Sequence, residues 1–132
     1  PYSAALDPNK WSRGCIHHEL FHAIDWKDDG LMDEDHHWRS LNPWGFEYDR
    51  DRVAEGGAIH SQYQAFLNNY CRNNASDDKA EVYAHTITHW NLFRKLAKED
   101  KKLARKIARI EESIKLFCPK MDEGWWQTVR NR

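Results

Sequence analysis

Residues 16–25 read IHHELFHAID, and within them His18-Glu19-Leu20-Phe21-His22 has the pattern H-E-x-x-H. On a helix, residues four apart lie on one face in consecutive turns. His18 and His22 can therefore offer two imidazole nitrogens to a single metal ion. Zinc suits such a pair: its catalytic sites combine three protein ligands with one open position for water. Glu19 is rotated away from the pair but stays close enough to reach that water. The ion lowers the pKa of the water, and the carboxylate takes its proton as it attacks a carbonyl. The competing reading is a pair of core histidines. Buried imidazoles need partners in either case, whether hydrogen bonds or a metal.

Two histidines leave a third ligand to find. The downstream candidates are Glu81, His85, His89, His60, His36 and His37. Glu81 is the strongest, lying early on a well-marked helix between Ala80 and Ala84, whose small side chains allow close approach. Its plain alternative is a solvated first-turn glutamate favoured by the helix dipole. His85, one turn further along the same face, is the substitute ligand or a supporting group. His36 and His37 lie in the acidic stretch DEDHH, which reads as surface. Asp25, close to one turn past His22, suits a supporting bond or a helix end.

Helical elements must carry these groups. A first helix is predicted over about Ser12 to Trp26, where Ile16, Leu20, Ala23 and Ile24 recur at helical spacing and Gly30 gives a stop. Residues 27–58 read as a long irregular connection rich in Asp, Gly and Pro. Trp38, Trp44, Phe46 and Tyr48 anchor it, and Phe46–Tyr48 is a possible short edge strand. Helical pattern returns around Ile59–Leu67. Ser76 or Asp77 can cap the next helix, with Asp77 and Asp78 at the positive end of its dipole; it should run to about Ala97. A further helix over about Asp100 to Phe117 buries Leu103, Ile107, Ile110, Ile114 and Phe117, and Pro119 ends it. The tail EGWWQTVR should pack its tryptophans on the body.

The 132 residues suffice for one domain and one core. No apolar run is long enough for a membrane span, and PYSAALDPNK is not a signal peptide. The chain lacks an initiator methionine and is expected to be processed or excised from a longer one. Residues 1–89 hold fifteen acids and eight bases, and residues 90–132 hold six acids and twelve bases. The run RKLAKEDKKLARKIAR could bind nucleic acid as a basic helical module, but no aromatic-interleaved reader accompanies it; a solvated helix face is favoured. Cys15, Cys71 and Cys118 show no C-x-x-C spacing, and one disulfide plus a free thiol is possible. Asn74-Ala75-Ser76 matches a glycosylation sequon. An extracytoplasmic setting is favoured.

Three segments in order, HHELFHAID, LNPWGFEY and NYCRNNASDDKAEVYA, resemble zinc-binding metallopeptidases of the gluzincin kind. In these an H-E-x-x-H helix precedes an L-N-x-x-G-F-x-Y-like stretch, then a tyrosine and an E-D-x-A-E motif. The resemblance covers roughly residues 14–97. It implies that His18, His22 and Glu81 hold one zinc ion and that Glu19 is the general base. It further implies that Asp78 supports a ligand histidine and that Tyr70 stabilises the oxyanion. Asp77 replaces the usual glutamate. Only about sixteen residues precede the helix, where zincins place a β-sheet whose edge strand aligns the substrate, so either a preceding region is missing or the substrate is held differently. The expected fold is mainly α: a single zincin-like domain over residues 1–132, with crossed active-site helices. The expected activity is zinc-dependent hydrolysis of a peptide or protein substrate. The rival is a non-catalytic module stabilised by the same zinc.

Overall fold

A computed structural model describes residues 8–51, 59 and 64–131, with only the backbone for residues 8–12. The fold is mainly α, and no strand occurs among the described residues. Six α-helices follow in order: α1 (Pro8–Asp28), α2 (His36–Ser40), α3 (Ala75–Thr88), α4 (Trp90–Glu99), α5 (Lys101–Phe117) and α6 (Glu123–Arg130). Helix α3 is the hub, packing against α1, α4 and α5. No helix is long and apolar enough to cross a membrane.

Each boundary has a local cause. Proline is tolerated in the first turn of α1, where its missing N–H has no helical partner to lose. Gly30 follows that helix at φ +69°, a left-handed conformation that suits glycine. Asn74, not Ser76 or Asp77, caps α3: its backbone is extended at φ −158°, and its side chain accepts the Asp77 N–H. Asp100 caps α5 by accepting from the Lys102 and Leu103 N–H groups, and Asp122 caps α6 through the Trp125 N–H.

The helix predicted to continue to Ala97 is broken at His89, where φ is −135°. Thr86-Ile87-Thr88 is a β-branched run, which weakens a helix. Both threonine hydroxyls also bond back to carbonyls of the preceding turn. The break lets α4 turn so that Phe93 is fully buried.

The long connection is partly ordered by a 3-10 turn (Met32–Glu34) and α2. Phe46 and Tyr48 form no edge strand; their rings cluster with Phe66 instead. Of the helix expected around Ile59–Leu67, residues 64–67 are non-helical and 60–63 lie outside the described residues. On α5 the stripe Leu103, Ile107, Ile110 and Ile114 is buried as expected, but Phe117 at the helix end is half exposed. The tail folds back as expected: Trp126 is buried, and Arg130 lies 4.4 Å over the Trp90 ring.

Helix α1 inverts its apolar pattern. Ile16, Leu20 and Ala23 are exposed, while His18, Phe21, Ile24 and Asp25 face inward. Polar side chains win the interior because α3 supplies their partners. Lys79 Nζ donates to Asp25 at 2.7 Å and to Asp35 at 3.3 Å.

The sequon asparagine is committed to its cap. Asn74 Oδ1 accepts the Asp77 N–H at 2.7 Å, and its Nδ2 donates to Asp77 Oδ2 at 2.7 Å. Asn74→Ala removes the cap and should lower stability by about 1 kcal/mol. A denaturant melt measures this, and an unchanged midpoint would show that the cap contributes nothing.

Candidate metal centre

Helices α1 and α3 meet at the histidine pair. His18 Nε2 and His22 Nε2 stand 3.1 Å apart. Asp77 Oδ1 lies 3.6 Å from the first and 3.5 Å from the second. Two ligand atoms each about 2.0–2.1 Å from a tetrahedral zinc stand roughly 3.4 Å apart, so the triangle is the right size for that ion. His18 is buried; His22 and Asp77 are half-buried.

The outer nitrogens are held as metal-ligating histidines require. A carboxylate on the second ring nitrogen fixes the tautomer and turns the other lone pair toward the metal, whereas a hydroxyl, which donates or accepts, orients the ring. His18 Nδ1 donates to Glu81 Oε1 at 2.9 Å. His22 Nδ1 is 2.9 Å from Ser76 Oγ. The Ser76 N–H is in turn bonded to Asp33 Oδ1 at 2.9 Å.

Three polar atoms this close need a positive charge among them, which a proton on His18 or a metal ion can supply. Burial works against an imidazolium at His18. The hydrogen bonds and charges of Asp77 and Glu81 outweigh it and push the ring up to about 9. Burial likewise opposes the Asp77 and Glu81 carboxylates. Hydrogen bonds from His18, His22 and Asn74 hold Asp77 well below the usual range. For Glu81 the His18 bond, the His85 charge and the Asn68 amide outweigh burial and lower it. Two ionised carboxylates and two histidines form a donor set that zinc fits.

The structure brings Glu81 to His18 but onto its Nδ1 side, behind the ring and not among the three converging atoms. Asp77 occupies the converging place. Helix geometry accounts for both: residues four apart differ by about 40° around the axis, so Asp77 and Glu81 flank the same histidine. Asp78 is turned by ~100° from Asp77 and ~60° from Glu81 and does not support a ligand histidine. It is fully buried on another side, where one oxygen accepts from Trp38 Nε1 at 2.9 Å, Tyr48 Oη at 2.7 Å and Lys106 Nζ at 2.5 Å. His85 stands behind Glu81, its Nδ1 3.0 Å from the Glu81 carbonyl oxygen and 3.7 Å from Oε2.

Glu19 is exposed beside the pair. Tyr70 belongs to a 3-10 turn (Tyr70–Arg72), its ring centroid 5.8 Å from that of His18. Burial, then the charges of Asp77, Glu81 and Glu19, push its hydroxyl up to about 12, so it stays a donor at neutral pH. His36 and His37 are exposed on α2, and His89 closes α3 beside Thr88. His60 lies outside the described residues. Asp25 pairs with Lys79 rather than with a histidine. Cys15, Cys71 and Cys118 are all free thiols.

Sequence reasoning missed Asp77 as a converging group and Ser76 and Asn68 as supports. For Asp77 a signal existed, since it shares a face with Glu81. Comparison with known proteins gave no matching family model, no matching curated protein and no matching solved structure.

Proposed function

We propose that the chain is a zinc-dependent metallopeptidase of zincin-like build, in which α1 and α3 bring the ligands together. The observation that carries the proposal is the convergence of His18 Nε2 and His22 Nε2 from α1 with Asp77 Oδ1 from α3 within 3.1–3.6 Å, beside Glu19, which α1 exposes. Asp77 is favoured as third ligand because Glu81 is already engaged by His18 Nδ1 and Asn68 Nδ2, the place of a supporting carboxylate. The family resemblance gives the ligand place to Glu81 instead.

Zinc, when bound, supplies Lewis acidity toward a water and the substrate carbonyl. The remaining work falls to side chains. Glu19 accepts a proton from the attacking water and returns it to the leaving amine. The Tyr70 hydroxyl, bonded to Asp77 here, would donate to the oxyanion once it leaves that partner.

Metal analysis tests the reading. The purified chain should hold one equivalent of zinc, and His22→Ala should lose it. Asp77→Ala should lose it too, whereas Glu81→Gln should bind about 10- to 100-fold more weakly. The opposite ranking of the two carboxylates would assign the third ligand to Glu81. A wild-type chain that takes up no zinc would end the proposal.

A further inference from the structure

The group that holds His18 is itself held. Asn68 is 1% exposed. Its Nδ2 donates to Glu81 Oε2 at 2.9 Å, and its Oδ1 accepts the Cys71 N–H at 2.9 Å. The partners fix which end of the amide is which, since only nitrogen can donate to a carboxylate and only oxygen can accept from an N–H. Glu81 Oε1 then takes His18 Nδ1. An unbroken chain thus runs from the Cys71 backbone through Asn68 and Glu81 to His18, whose Nε2 faces His22 and Asp77.

We propose that Asn68 is a positioning residue of the metal centre, fixing the Glu81 carboxylate and through it the orientation and tautomer of the His18 ring. The proposal rests on the metal reading given above, with His18 as a ligand. The last torsion of a glutamate is broad and weakly restrained, so the carboxylate plane is set by its partners. Without the Asn68 amide, Oε2 keeps the His85 ring, at 3.7 Å, among the described residues. The carboxylate could then turn, and His18 Nδ1 would lose its single well-placed acceptor.

The segment delivering Asn68 is clamped. Ala65 is fully buried at φ +73°, a left-handed conformation that strains an alanine. Its N–H donates to Asp100 Oδ2 at 2.5 Å, and its carbonyl accepts from Lys106 Nζ at 2.9 Å. Phe66 and Leu67 are buried beside it. The start of α5 therefore anchors the loop that carries Asn68, and tertiary contacts keep a strained residue in place.

Asn68→Ala and Asn68→Ser test the role, with zinc affinity measured by competition against a chromophoric chelator. Both should bind zinc about 10- to 100-fold more weakly at near-native helicity. Serine keeps a short acceptor for the Cys71 N–H but cannot reach Glu81. It should therefore recover stability relative to alanine without recovering affinity. A purely structural role would move the two together. In a Glu81→Gln background, Asn68→Ala should change affinity by less than about twofold, because its route to the metal is already cut. Wild-type affinity in both single variants, or the full loss repeated in the Glu81→Gln background, would overturn the proposal. Long-range nitrogen–proton spectra of the zinc-loaded wild type give a test independent of any variant. They should show His18 protonated at Nδ1, and protonation at Nε2 would rule the proposal out. A wild type that binds no zinc would remove the metal reading, and this inference with it.

Discussion

Glu19→Gln should bind zinc as the wild type does and hydrolyse peptides slower by on the order of two to four powers of ten. Glutamine keeps the size of the side chain and removes the base. The substitution should be silent in stability because Glu19 is exposed, whereas His18 beside it is buried. The rate loss corresponds to about 3–5 kcal/mol of transition-state stabilisation, far above what an exposed Glu-to-Gln change does to folding. Metal content, a melting curve and turnover of a mixed peptide library decide the matter. If the variant loses zinc, Glu19 belongs to the ligand set or its support. If it cleaves normally, the base lies elsewhere. A wild type that holds zinc yet cleaves nothing would favour a non-catalytic zinc-stabilised module.

What could be read from sequence was what depends on local spacing. The H-E-x-x-H helix and the α5 stripe, apart from Phe117, follow from periodicity, caps and stops that act within a few residues. What failed depended on partners supplied from elsewhere in the chain. Ile16 and Leu20 look like a buried stripe, yet His18 and Asp25 take the interior because Glu81 and Lys79 neutralise them. Asp77, Asp78, Lys79 and Glu81 are near neighbours on one helix, but the first and last flank His18, while Asp78 and Lys79 serve separate buried pairs. No pattern marks Asn68, because it arrives from a non-helical segment. The basic run over 94–109 illustrates the same limit. Arg94, Lys95, Lys98, Lys101 and Arg105 are exposed, as a solvated face requires, but Lys106 is 0% exposed.

That lysine carries the second large effect. Lys106→Met should destabilise the fold by about 3–5 kcal/mol, the usual consequence of stripping the partner from a buried charge. Lys106 Nζ donates to Asp78 Oδ2 at 2.5 Å and to the Ala65 carbonyl at 2.9 Å. It also lies 4.0 Å over the Phe66 ring and 5.3 Å over that of Trp38. Methionine retains much of the aliphatic stem and its packing, so the loss reports the charge and its hydrogen bonds. Asp78 is 0% exposed, and its Oδ1 has no partner among the described residues, so the carboxylate would then rely on Trp38 and Tyr48 alone. Adding Asp78→Asn to Lys106→Met removes the stranded charge while leaving an amide oxygen for those two donors. The double variant should regain at least half of the loss, and the coupling in a denaturant-melt cycle should exceed that gain of about 1.5–2.5 kcal/mol by the cost of Asp78→Asn alone. Additive losses would mean that the two residues do not act as a pair. Zinc provides a second readout. Bound only by the folded state, it should raise the melting temperature of wild type and, by less, of both variants, because Lys106 also holds the Ala65 carbonyl in the segment that carries Asn68. A Lys106→Met chain that responds to zinc as fully as wild type would mean that the clamp at Ala65 does not reach the metal centre.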